Sequence, residues 1–167
     1  GRVGEPGWRI VLFHSLAAAI SAAVAVPFAG SSSYTAQSVA ALAGIGVLRF
    51  NTRGTTAGAG TSEGAFDENR GEGQDLRAAV AEVTAQGFVD PWVVGWSFGT
   101  DVILRWGNVD PVAGAVLLSP PGRWSDATDV AGWAASGRPV TAPGPEFDEF
   151  ASPEDVTRRF AGGPQAQ

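Results

Sequence analysis

Residues 91–106 read Pro91-Trp92-Val93-Val94-Gly95-Trp96-Ser97-Phe98-Gly99-Thr100-Asp101-Val102-Ile103-Leu104-Arg105-Trp106. The run Pro91 to Val94 has the length and composition of a buried strand. From Thr100 onward, Val102, Ile103 and Trp106 share one helical face, and Gly107 supplies a stop. Between strand and helix lies G-x-S-x-G, from Gly95 to Gly99. A turn that sharp holds its central serine in a strained backbone conformation, and a glycine two positions to either side lets strand and helix pass closely. The positive end of the helix and the N–H of Phe98 then face the Ser97 hydroxyl, the arrangement an attacking serine needs. The same pattern occurs by chance as an ordinary glycine-flanked turn; the strand before it and the helix after it favour the nucleophile.

Outward from this turn, short apolar runs alternate with segments of helical period. The strand candidates are Arg9 to Phe13, Gly46 to Phe50, Pro91 to Val94, Val112 to Leu118 and Arg138 to Ala142. Between the second and third, Leu76, Ala79, Val80 and Val83 line one face of a helix over Asp75 to Val83, with Gly87 at its end. Tyr34 to Ala43 and Ala127 to Ala135 are weaker helical candidates. The alternation predicts an α/β fold, a mostly parallel sheet flanked by helices on both faces, in a single domain over residues 1–167. Asn51 to Gly73, rich in Gly, Thr, Ser and Glu, reads as a long surface loop. Its Gly58-Ala59-Gly60-Thr61-Ser62-Glu63-Gly64 only superficially resembles a dinucleotide fingerprint, because the third glycine comes one place late and no helix follows.

Composition narrows the chemistry. Of 167 residues 44% are hydrophobic and 17% charged, as in a globular protein, and the net charge of −6 offers no footprint for nucleic acid. With no cysteine and one histidine, disulfides, thiolate sites and zinc sites built on two imidazoles are excluded. The stretch Ile10 to Ala29 is apolar enough to suggest a signal peptide or short membrane span. Gly7, His14 and Pro27 count against that, so the expectation is a buried strand with no membrane association and a cytoplasmic location. The basic residues are all arginine and methionine is absent, which suggests a fragment or a trimmed chain.

Several segments in order resemble the α/β-hydrolase superfamily, and in particular its small bacterial members without a large cap. Gly95 to Gly99 is the most specific. Val11-Leu12-Phe13-His14-Ser15 resembles the strand and His-Gly turn that donates the second oxyanion N–H, with serine in place of the usual glycine. Leu48 to Gly54, followed by Thr61-Ser62-Glu63-Gly64, resembles D-x-R-G-x-G-x-S-x-G, with Asn51 where aspartate is common. Val116 to Pro121 resembles the strand after the nucleophile helix, and Pro145-Glu146-Phe147-Asp148-Glu149-Phe150 with Pro153-Glu154 resembles G-x-x-D-x-x-x-x-P-E.

The resemblance implies a serine hydrolase cleaving an ester or related acyl bond of a small molecule, without a cofactor. Ser97 is its nucleophile, and the N–H groups of Phe98 and Leu16 are its oxyanion donors. Asp148 is its acid, with Glu146 as fallback, although such acidic clusters also occur as plain solvated loops. His14 becomes a residue that shapes the oxyanion loop, and Trp96 a candidate for the acyl pocket. The family order of Ser, Asp, His finds no histidine after Asp148, so the expectation is a chain that ends before its catalytic histidine, with the sheet incomplete at the C-terminal edge. The missing histidine also keeps open a non-catalytic protein of this fold that binds a ligand or partner, and the fold hosts other bond chemistries as well.

Overall fold

The computed structural model describes residues 10–14, 47–54, 62–143 and 152–161. Five strands are present among them: β1 (Ile10–His14), β2 (Val47–Asn51), β3 (Trp92–Trp96), β4 (Gly114–Leu118) and β5 (Val140–Thr141). They form one sheet in the order β2-β1-β3-β4-β5, and every pairing is parallel. Four helices connect or follow them: α1 (Glu72–Ala85), α2 (Phe98–Trp106), α3 (Ala127–Ser136) and α4 (Pro153–Phe160). Each helix contacts the next in sequence, α1 with α2, α2 with α3 and α3 with α4, so the described helices make a continuous row beside the sheet. The expected Tyr34–Ala43 helix lies outside the described residues.

The parallel α/β architecture is as expected, with shifted boundaries. β3 runs on through Gly95 and Trp96 to the serine, and α2 begins at Phe98 rather than Thr100, so the turn between them is a single residue. The expected strands over 112–118 and 138–142 shrink to β4 and β5. α1 starts earlier, at Glu72. Its apolar face is the expected one, with Leu76, Ala79, Val80 and Val83 all buried.

The core is built where α2 lies on β3 and β4. Val93, Val102, Ile103, Ala115 and Leu117 are fully shielded from solvent. Trp92, Trp96 and Trp106 are half-buried. The deeply buried tryptophan is Trp133 on α3, whose indole N–H donates to the carbonyl of Leu104 at 3.0 Å. α3 is well defined at both ends. Asp126 accepts from the N–H groups of Thr128 and Asp129 in a reciprocal capping box, and Gly137 closes the helix at φ 71°. α4 begins with Ser152 as cap and Pro153 in its first turn.

The stretch before α1 departs from the expected surface loop. Asn69 is completely buried, with its side-chain amide donating to the carbonyls of Asp101 (2.9 Å) and Trp124 (3.0 Å), while its backbone carbonyl accepts from the indole of Trp106 (2.8 Å). A short polar side chain at φ 65° thus ties the segment to α2 and to the loop after β4. Polar composition hid this, because the partners are carbonyl groups distant in sequence.

Candidate active site

Ser97 is the one residue between β3 and α2, at φ 50° and ψ −123°. For a residue other than glycine this backbone costs on the order of 1–3 kcal/mol, which the surroundings must hold in place. Three contacts do so. The Ser97 N–H donates to the carbonyl of Leu118 at 3.0 Å, and its carbonyl accepts from the N–H (2.9 Å) and the hydroxyl (2.7 Å) of Thr100. Gly95 has the reason expected of it. A Cβ on Gly95 would come within 2.7 Å of the Gly99 carbonyl group and of the Ile103 side chain.

Phe98 opens α2, so its N–H is among the first-turn donors that have no acceptor within the helix. Its ring is buried and meets Phe66 and Trp124 edge to face, each with centroids 5.1 Å away. Phe66 and Trp124 are themselves 5.9 Å apart, and Phe66 is an exposed large apolar side chain. An aromatic cluster therefore sits directly beside the turn. Trp96, immediately before Ser97, is half-buried and pairs with Leu118 in the β3–β4 register.

His14 ends β1, next to β3 in the sheet. β1 and β3 align Leu12 with Val94, and the same register carried two residues further brings His14 level with Trp96. The backbone of the single histidine thus lies at the carboxyl edge where Ser97 lies. Leu16, Glu146 and Asp148 fall outside the described residues.

Sequence patterns did not single out Asp101, the largest surprise of the site. It is fully buried on α2, one turn beyond Ser97. Its carboxylate accepts from the hydroxyl of Ser125, from the N–H of Arg123 at 3.1 Å, and from the N–H of Trp124. Burial pushes the Asp101 carboxyl above its ordinary range, against the opposing pull of those hydrogen bonds and of the Arg159 charge. Arg159, on α4, donates to the carbonyl and hydroxyl of Ser125, both at 2.8 Å. One network thus joins α2, the loop after β4 and α4.

Arg53 is committed elsewhere. Its backbone N–H and guanidinium reach both oxygens of Asp75 at 2.9–3.1 Å, fixing the turn after β2 to α1. The open recess of about 470 Å³ beside this pair is lined by Ser62, Glu63, Phe66 and Asp67 among others, and does not include Ser97. Among the described residues no three His, Cys, Asp or Glu side chains group to hold a metal ion, and no helix is long and apolar enough to cross a membrane.

This arrangement is similar to known structures. A lidless α/β serine hydrolase from Xanthomonas campestris superposes with a TM-score of 0.63 at 27% identity, over 95% of this chain and 67% of that one. The chain is related to the α/β-hydrolase superfamily. A homologue of α/β serine hydrolases from Coxiella burnetii shares the fold with a TM-score of 0.66 at 23% identity, over 97% of this chain and 73% of its own. So does an esterase domain from Rhodothermus marinus, with a TM-score of 0.62 at 16% identity, over 95% of this chain and 72% of its own. No family sequence model and no curated protein matches the chain. In the sheet of this chain, the strand that leads to Ser97 is flanked on both sides.

Proposed function

We propose that this chain forms the body of a serine hydrolase that cleaves an ester or related acyl bond of a small molecule, with Ser97 as the nucleophile. The observation that carries the reading is the backbone of Ser97, a strained non-glycine residue held alone between the central strand β3 and α2. Strain of this kind persists where the surroundings over-determine it, and it lifts the hydroxyl clear of the sheet edge.

In the proposed reaction a base takes the proton of the Ser97 hydroxyl as its oxygen attacks the carbonyl carbon. The N–H groups of Phe98 and Leu16 receive the negative charge that develops on the carbonyl oxygen. The tetrahedral adduct collapses, the leaving group departs with the proton, and water then releases the acyl group from Ser97 by the same route. Asp148 orients the base. Trp96 borders the acyl group, and no cofactor enters. A cytoplasmic location belongs to the same reading.

The base is the role these residues supply least. His14 is the one histidine and precedes the serine in sequence, whereas the related order places histidine after the acid. That favours a second reading, a ligand-binding protein built on the hydrolase fold. An alkyl fluorophosphonate separates the two, since it modifies a serine that is activated and spares one that is not. The hydrolase reading expects a phosphonylated Ser97 peptide in the mass spectrum, absent from Ser97→Ala. An unmodified Ser97, both in these 167 residues and in the chain with whatever sequence its gene encodes beyond them, refutes it.

A further inference from the structure

Ser97 has a neighbour in the same unusual conformation. β3 and β4 align Trp96 with Leu118, so the residues that follow, Ser97 and Ser119, leave adjacent strands at the same edge. Their φ angles are 50° and 51°. The Ser97 amide is tied to the peptide unit just before Ser119, through the Leu118 carbonyl at 3.0 Å. On its other side the Ser119 N–H donates to the carbonyl of Pro143 at 3.3 Å, the last described residue before the sequence segment containing Asp148.

Nothing in the local sequence explains the backbone at 119. Ser119 precedes Pro120, and a residue before proline is driven toward extended backbone with negative φ. Glycine would adopt a positive φ without strain. A serine there is strained on both counts, and what it offers over glycine is a hydroxyl. Ser119 is half-buried, so part of its surface reaches solvent at the edge where Ser97 stands.

We infer that Ser119 is a substrate-contacting residue of the Ser97 site, its hydroxyl hydrogen-bonding an oxygen of the ester bound against Ser97. The inference rests on the hydrolase reading and adds a binding group to it. It also names the substrate feature recognised, a polar oxygen lying toward β4 from the scissile carbonyl.

Two variants test it. Ser119→Ala removes the hydroxyl and keeps the strain, while Ser119→Gly removes both. Phosphonylation of Ser97 by an alkyl fluorophosphonate and the steady-state hydrolysis of phenyl acetate are followed beside thermal melts. Loss of one hydrogen bond predicts phosphonylation slowed about twofold to tenfold in both variants, with the loss on phenyl acetate falling mainly on KM. Ser119→Gly is expected to melt above Ser119→Ala, which separates the strain from the lost contact. Wild-type rates in both variants overturn the inference and leave the hydrolase reading standing. A wild-type Ser97 that the probe never modifies overturns both.

Discussion

The N–H of Ser97 donates to the carbonyl of Leu118 at 3.0 Å. That bond continues the β3–β4 ladder one step past the end of the strand, so the nucleophile candidate is held by the sheet on one side and by the first turn of α2 on the other. Its position depends on how closely β3 and α2 can approach.

Gly95 sets that approach. A methyl group there would meet the backbone of Gly99 and the tip of Ile103 at 2.7 Å. Gly95→Ala should therefore push α2 from the strand and lower stability by about 1–3 kcal/mol, the usual range for overpacking. Phosphonylation of Ser97 should fall with it. Urea unfolding measures the first and mass spectrometry the second; an unchanged urea midpoint would show that α2 can shift freely.

Trp133 anchors α3 to the core, fully buried and bonded to the Leu104 carbonyl. Trp133→Ala is expected to cost about 3–5 kcal/mol, as large aromatic truncations do. Trp133→Phe should cost clearly less, since it keeps most of the ring volume and loses the indole donor and a smaller part of the packing. Equal losses in chemical denaturation would mean that the hydrogen bond, rather than the packing, holds α3.

Asp101 makes stability depend on pH. Its carboxyl titrates above the ordinary value of 3.8 in the folded chain, chiefly because burial penalises its charge. The folded state therefore holds this proton more tightly than the unfolded state. The group's contribution is complete below 3.8 and is lost as pH rises through the folded value. Asp101→Asn lacks that loss, so the urea midpoint of the wild type should fall relative to the variant's between acid pH and neutrality. Parallel profiles would contradict the account.

Arg159 fastens α4 to the loop after β4 through Ser125. Arg159→Ala should release α4 first, seen as faster amide hydrogen exchange over Pro153–Phe160 than in the sheet. It should also raise the Asp101 carboxyl further, because a favourable positive charge is removed. Unaltered exchange in α4 would show that Val156 and Phe160, both buried, dock the helix alone.

What could be read from the sequence followed local period. The apolar run ending in Val93-Val94, the face of Leu76, Ala79, Val80 and Val83, and the glycine spacing around Ser97 all report on neighbours within a few positions, and the fold follows them. Asp101 was illegible for the opposite reason. An acid in the first turn of a helix ordinarily faces water, and its burial comes from residues 123–125 folding back over it. Asn69 and Ser119 escaped similarly. The partners of Asn69 are distant carbonyl groups, and Ser119 gains meaning only when the register sets it beside Ser97.

The order β2-β1-β3-β4-β5 also governs how the chain is made. Of the described strands β1 comes first in the chain, yet one of its two partners, β3, begins only at Trp92. At synthesis rates of about 5–20 residues per second, the gap from Asn51 to Trp92 leaves β1 half-paired for roughly 2–8 s. During that interval Ile10-Val11-Leu12-Phe13 offers a bare apolar edge to any other strand in reach. The nascent protein thus exposes this edge before Ser97 has been added, and slower translation across residues 52–91 would lengthen that vulnerable interval.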